Sequence, residues 1–250
     1  MQKLSQKAPK KSTNASCIRL NKWISNAGVC ARREADALIQ GGHITVNGQK
    51  ITTLGYQVRS SDIVKYRTKV LKADKPVYIL LNKPKDCIST THDPQDRRTV
   101  LDLVKNACQV RVYPVGRLDR HTTGLLLLTN DGQLAQKLAH PASQVKKIYQ
   151  IELDKPIQAA DFEAIQAGVV LEDGVAQVDK LAVVAADRTN LGIAIHMGKN
   201  RIIRRLFEHL GYKVAKLDRV LYANLTKKAL PRGKWRLLTD REVKYLKYLA

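Results

Sequence analysis

Residues 116–132, GRLDRHTTGLLLLTNDG, constrain this chain more than any other stretch. Four consecutive leucines, 125–128, lie between turn-forming residues. An apolar run this short and so bounded predicts a buried strand. The Asn130-Asp131-Gly132 behind it is turn chemistry. Gly116-Arg117-Leu118-Asp119 and Arg120-His121 come before it, so Asp119 is expected in a loop packed against that strand, between Arg117 and Arg120. Loops fixed on rigid strands are where catalytic groups tend to sit. The ordinary explanation would be a turn aspartate paired with a neighbouring arginine. It does not account for a basic chain placing a lone carboxylate between two arginines just before a buried strand. Positive neighbours favour the ionised carboxylate, which suits a nucleophile or a general base.

The rest of the composition narrows the partner. The chain has 250 residues, room for one large domain or a medium and a small one, and 44% are hydrophobic, enough for a core. Lys and Arg number 44 against 22 Asp and Glu, a net charge of +22 with a pI near 10.0. Charge of that sign and size suits a polyanion. A membrane surface would call for a basic amphipathic helix or a lipidation signal, and neither is visible. No apolar run approaches the roughly 18 residues of a membrane span. The N-terminal MQKLSQKAPKK has no apolar segment of a secretory signal. Cys17, Cys30, Cys87 and Cys108 are scattered without a C-x-x-C pair, so they predict reduced thiols in a cytoplasmic protein rather than a zinc site or a redox motif. Neither a P-loop nor a dinucleotide glycine fingerprint is present, and no metal or cofactor is expected. A monomer is expected.

In chain order, residues 1–16 carry Lys3, Lys7, Lys10 and Lys11 and no acid, which predicts a disordered basic tail. Its role is sequence-independent phosphate attraction or mere solubility. Residues 17–64 read as a compact unit. Leu20, Trp23, Ile24 and Ala27 form one helical stripe; Ala35, Leu38 and Ile39 form a second, stopped by Gly41-Gly42. A strand, an Asn47-Gly48 turn and another strand follow. Arg19, Lys22, Arg32 and Arg33 fall off the apolar stripes, where they would meet phosphates. Residues 65–75, KYRTKVLKADK, read as a basic linker.

A second domain is expected over 76–250. Strands are predicted at 77–81, 111–115, 146–153, 169–172, 175–184, 192–197, 213–221 and around 235–238. Helices are predicted at 99–104, 133–139, 159–167 and 201–210. Ile203, Leu206, Phe207 and Leu210 make the buried face of the last. Thr239-x-x-Glu242 is a capping box for a C-terminal helix. Many strands with few helices and no regular βαβ alternation give an α+β class.

Gly116-Arg117-Leu118-Asp119 followed by Thr123-Gly124 and the leucine run closely resembles the active-site motif of the pseudouridine synthases. More narrowly, the chain resembles the S4-domain branch that modifies ribosomal RNA, the RsuA/RluB-like group. Residues 17–64 resemble the S4 RNA-binding domain over nearly their whole length, including Arg32-Arg33-Glu34-Ala35 and Val46-Asn47-Gly48. Asn82-Lys83-Pro84, Lys147-Ile148-Tyr149 and the run 198–208, GKNRIIRRLFE, match further family motifs, with Ile202 where Gln is usual. The resemblance implies an N-terminal S4 (alpha-L) domain before a synthase fold with a mixed, largely antiparallel sheet. It implies Asp119, Tyr149 and Arg204 as catalytic, with Arg204 pairing with Asp119. Arg117, Arg120, Lys147, Lys199, Asn200, Arg201 and Arg205 would contact substrate RNA, and Arg19, Lys22, Arg32, Arg33 and Asn47 would serve the S4 domain.

Two functions follow. One is a cofactor-free isomerase turning a ribosomal RNA uridine into pseudouridine, with large-subunit RNA favoured and small-subunit RNA open. Asp119 would then attack the ribose or the uracil, or assist glycosidic cleavage. The other is a non-catalytic RNA-binding or ribosome-assembly factor, which would have no need of that carboxylate. In either case the partner is ribosomal RNA or an assembling subunit, and no membrane. Removing residues 1–64 is expected to weaken binding to structured RNA and flatten its salt dependence, because fewer phosphates are neutralised. An unchanged salt slope would refute this region as the RNA handle.

Overall fold

The computed structural model describes residues 17–249, and the tail expected over 1–16 lies outside them. The chain divides into two compact units between Lys75 and Pro76. Among the described residues no helix is long and apolar enough to cross a membrane.

The small unit holds helices α1 (Leu20–Asn26) and α2 (Arg32–Gln40) and strands β1 (Ile18–Arg19), β2 (Ile44–Val46), β3 (Gln49–Lys50), β4 (Gln57–Val58), β5 (Val64–Tyr66) and β6 (Lys69–Val70). The two helical stripes meet: Leu20 and Ile24 pack with Ala35 and Ile39 over Ile44, Val46, Val58 and Val64. Each aliphatic side chain so buried contributes roughly 1.5–3 kcal/mol. The Glu34 carboxylate accepts from the Ala31 N–H at 2.8 Å and closes the first turn of α2. Asn47 and Gly48 turn β2 into β3 with φ of +51° and +85°, the left-handed pair that a two-residue hairpin demands.

The expected linker is partly sheet. β5 pairs with β2 and β6 with β5, and Leu71 is buried in the unit's core, its N–H bonded to the Val64 carbonyl at 2.8 Å. The alternation Val64-Lys65-Tyr66 is a strand pattern. Its basic residues made the stretch look like a charged connector.

The large unit is built on a nine-stranded sheet. Its strands are β7 (Tyr78–Lys83), β8 (Tyr113–Pro114), β9 (Thr123–Thr129) and β10 (Lys147–Leu153), then β13 (Lys180–Val183), β14 (Asn190–Ile195), β15 (Val214–Tyr222), β16 (Leu225–Thr226) and β17 (Trp235–Leu237). The order is β13-β14-β10-β15-β9-β7-β17, with β8 beside β9 and β16 beside β15. Neighbours run antiparallel except β15 and β9, which are parallel. The class is α+β with a mixed, mostly antiparallel sheet.

Every residue of β9 is buried, and the reason lies in the two faces. Leu126 and Leu128 join the core that includes Ile202, Leu206 and Phe207 of α6 (Ile202–His209). Leu125 and Leu127 join the opposite core, with Leu134 and Leu138 of α4 (Gly132–Ala139) and Leu246 of α7 (Asp240–Leu249). A strand covered on both faces reads as an unbroken apolar run. The remaining helices are α3 (Val100–Val104) and α5 (Ala159–Ala167). The strand expected over 175–184 is two pieces. β12 (Gly174–Ala176) forms a separate hairpin with β11 (Val169–Leu171), and only β13 joins the main sheet, through β14. The break between them, Gln177-Val178-Asp179, has no glycine or proline to mark it.

These strands fix where the chain can be cut. A fragment starting at residue 65 carries β5 and β6 without β2, leaving an unpaired hairpin edge. A fragment starting at Pro76 keeps the large unit's sheet whole. The second is expected to stay monodisperse with a single melting transition and the first to associate, as light scattering and thermal melts would reveal.

Candidate active site

The loop between β8 and β9 carries Asp119, and its backbone is held from below. Lys83, the last residue of β7, is fully buried. Its Nζ donates to the carbonyls of Pro84, Asp119, Arg120 and Thr122 at 3.1, 3.0, 3.2 and 2.8 Å. Burial pulls the Lys83 pKa down to about 8, against the pull of nearby carboxylates including Asp119. Ser89 clasps the same loop, its Oγ donating to the Leu118 carbonyl at 2.9 Å and accepting from the Leu118 N–H at 3.2 Å. The Thr122 N–H bonds the Asp119 carbonyl at 3.0 Å and closes the turn.

Above this loop lies a cavity of about 180 Å³. That is below the roughly 300–1,000 Å³ of pockets for drug-sized ligands, a size for a single ring rather than a dinucleotide. Asp119 lines it, and no other acid does among the described residues. Arg117, Lys147, Lys199, Arg201, Arg204 and Arg219 also line it. One carboxylate among six cations makes a site for an anionic substrate.

The expected Asp119–Arg204 pair is replaced by another. Asp119 Oδ2 lies 3.9 Å from Arg201 Nη1. Arg204 donates from Nη1 to the Val214 carbonyl at 2.8 Å. It still feels the carboxylate, though burial and the charge of Arg201 together hold its pKa below the usual value. Arg204 lies in the first turn of α6, and Arg201 stands just before it as the N-cap residue. Arg201 sits at the start of α6 with φ of +45°, left-handed for a non-glycine residue, and from there it reaches Asp119.

From β10, Lys147 and Tyr149 both line the cavity. Lys147 Nζ donates to the His196 carbonyl at 2.6 Å, and burial first, then the charge of Arg219, lowers its pKa to about 8. Tyr149 is buried, with its hydroxyl 3.5 Å from Arg219 Nη1. Ile202, where the family usually has Gln, adds an apolar wall.

Other residues expected at the RNA are held elsewhere. Arg120 pairs with Asp86 at 3.0 Å, and Arg205 grips Asp173 through two bonds of 2.9 Å while its Nε bonds the Asn200 carbonyl. None of Arg120, Asn200 and Arg205 lines the cavity. In the small unit, Arg19, Arg32 and Arg33 are exposed and Lys22 half-buried. Asn47 is engaged inside its own unit: its amide donates to Asp62 at 3.0 Å and accepts from the Ile63 N–H at 2.9 Å. It locks a turn, which its left-handed backbone and Asn-Gly position had indicated.

Arg219 was missed. It is only 3% exposed, on β15. Its Nε donates to the Leu125 carbonyl at 2.7 Å, and its guanidinium lies over the Tyr222 ring at 4.9 Å. The available signal was an arginine two residues after Leu217 in an alternating strand, which puts it on the inward face.

The RNA pseudouridylate synthase family model matches residues 77–209, and the S4 domain model matches residues 18–64. Ribosomal large subunit pseudouridine synthase B of Bacillus subtilis (strain 168) is 41% identical over 236 residues, covering 93% of this chain and 96% of that protein. Dual-specificity RNA pseudouridine synthase RluF of Escherichia coli (strain K12) is 39% identical over 231 residues, 91% of this chain and 78% of that one. A crystal structure of a pseudouridylate synthase, 26% identical, matches with a TM-score of 0.63 over 92% of this chain and 99% of the other.

Lys83→Met would leave the loop carbonyls without their common donor. Buried acceptors so orphaned cost about 1–3 kcal/mol each, and the melting temperature is expected to fall by roughly 2–4 °C for each kcal/mol lost, with a loss in kcat. The pH dependence follows from linkage. The folded-state pKa of about 8 lies below the unfolded value, which is roughly 10.4. Between those values the unfolded chain binds more protons, so Lys83 adds stability as pH rises through that window. The gap between wild-type and Lys83→Met melting temperatures should therefore widen from pH 8 to 10. A gap that narrowed would refute the lowered pKa of Lys83.

Proposed function

We propose, since the chain belongs to the RNA pseudouridylate synthases, that it isomerises one specific uridine of large-subunit ribosomal RNA to pseudouridine. The observation that carries this reading is Asp119, the one acid among the described residues lining a ring-sized cavity that also presents six cations, two tyrosines and an apolar wall. The large-subunit assignment leans on the likeness to the Bacillus subtilis protein. The partner is ribosomal RNA or an assembling ribosomal subunit, in the cytoplasm.

The exposed arginines of the small unit and the cations at the cavity meet phosphates. The target base leaves its stack at a cost of a few kcal/mol, and Arg117 fills the vacated space or holds the flanking phosphate. Lys83 holds the loop, and Arg201 steadies the carboxylate of Asp119. That carboxylate supplies an electron pair either to C1′ of the ribose or to C6 of the uracil. By either route the bond from C1′ to N1 breaks, the uracil turns, and C5 bonds to C1′ as the carboxylate is released. The proton lost from C5 is matched by one gained at N1, so the product is an isomer and nothing is consumed. Tyr149 stacks on the base and moves that proton.

Asp119→Asn is nearly isosteric. Melting temperature and RNA affinity should hold while pseudouridine formation on ribosomal RNA transcripts disappears. Full activity in that variant would leave the chain as an RNA-binding factor. Tyr149→Phe keeps the ring, so affinity should survive while turnover drops by about 10²–10⁴-fold. Mapping pseudouridines in a deletion strain would identify the uridine, and a loss confined to small-subunit RNA would overturn the large-subunit assignment.

A further inference from the structure

Arg219 is placed as no other cation among the described residues. It is buried, it lines the cavity that holds Asp119, and its Nη2 has no hydrogen-bond partner among the described residues. The rest of the group is fixed. Nε is held by the Leu125 carbonyl at 2.7 Å, Nη1 lies 3.5 Å from the Tyr149 hydroxyl, and the plane lies over the Tyr222 ring. A guanidinium pinned on three sides, with one buried nitrogen unsatisfied, is costly unless something completes it.

We propose that Arg219 reads the target base, its Nη2 donating a hydrogen bond to a carbonyl oxygen of the uracil that enters the cavity. This rests on the reading of the cavity as the uridine site. The chemistry favours that partner. Guanidinium has only donors, and uracil presents carbonyl oxygens at C2 and C4. A bond to O4 would exclude cytosine, which sets an amino donor there, whereas a bond to O2 orients the base without that exclusion, since cytosine keeps the C2 carbonyl. The bond also gains in the reaction. Attack at C1′ sends the bonding pair into the uracil, whose charge spreads over N1, O2 and O4. Attack at C6 pushes charge onto the C4 carbonyl. By either route negative charge grows on a uracil oxygen beside a fixed, buried cation.

The test substitutes one atom at a time. Single-turnover isomerisation is measured on a ribosomal RNA transcript whose target is uridine, 2-thiouridine or 4-thiouridine, with wild type, Arg219→Gln and Arg219→Lys. Sulfur is the poorer acceptor. One of the two thio substrates should slow wild type by about 10- to 100-fold and slow Arg219→Gln much less, because that variant has no charged donor to lose. Arg219→Lys should fall between. Equal slowing of wild type and variants would overturn the proposal, since a purely structural arginine gives additive losses. So would a wild type indifferent to both sulfurs, a result that needs no variant to fold. Asp119→Asn on the unsubstituted transcript tests the parent reading separately. If it is inactive while the thio effects are additive, only the role of Arg219 falls.

Discussion

One buried ammonium organises the site. Lys83 and Gly124 are register partners on the adjacent strands β7 and β9, so strand pairing alone brings the lysine beneath the loop that precedes β9. Three N–H hydrogens shared among four carbonyls hold the loop by its backbone. The side chain of Asp119 is therefore not needed to hold its own loop. Its carboxylate keeps one ion pair among the described residues, the long one to Arg201. A nucleophile must be positioned and yet unencumbered, and a backbone grip achieves both. Burying the charge is costly, and the carbonyl dipoles with the fields of Asp119 and Asp86 offset it in part.

The same division of labour runs through the cavity. Lys147, Arg204 and Arg219 are anchored by the carbonyls of His196, Val214 and Leu125. Several arginines elsewhere in the large unit are neutralised instead: Arg97 by Asp93, Arg205 by Asp173, Arg236 by Glu242. Each of those carboxyls is held below its ordinary range by its arginine. A carbonyl anchors a cation without cancelling its charge. The cavity thus keeps a positive field for a polyanion while its side chains stay ordered.

Much of this was legible in the sequence, because local rules and packing agreed. The leucine run, the α6 pattern and the Thr239–Glu242 box are each set by a period, a bounded run or a cap within a few residues. Asp119 stood out through its loop, its charge setting and its family motif. The readings that differ all depend on long-range partners. Residues 65–70 read as a linker because the β2 edge they pair with lies some twenty residues back. The break between β12 and β13 comes from two different sheets competing for one run. Asn47 was assigned to RNA by motif, yet Asp62 and Ile63 claim its amide. Arg204 was given to Asp119 by motif, whereas the turn of α6 sets Arg201 nearer and the Val214 carbonyl captures Arg204.

Arg219 shows why such partners resist sequence reading and why they matter. Gly124 belongs to the motif that drew attention first, yet its reason lies on β15. It has φ of +105°, and a Cβ there would meet the Arg219 carbonyl at 2.3 Å and its amide nitrogen at 2.5 Å. Only glycine lets the two backbones come so close. The contact is made where β9 and β15 run parallel, Thr123 against Asp218 and Gly124 against Arg219. Thr123 adds a hydrogen bond of 2.7 Å to Asp218, itself tied to Arg232 and Lys227. The Thr-Thr-Gly of the loop is thus a packing requirement as much as a catalytic signature. It binds the loop carrying the carboxylate to the strand carrying the buried arginine. Displacing either one moves both, so the group that attacks and the group proposed to read the base keep their spacing.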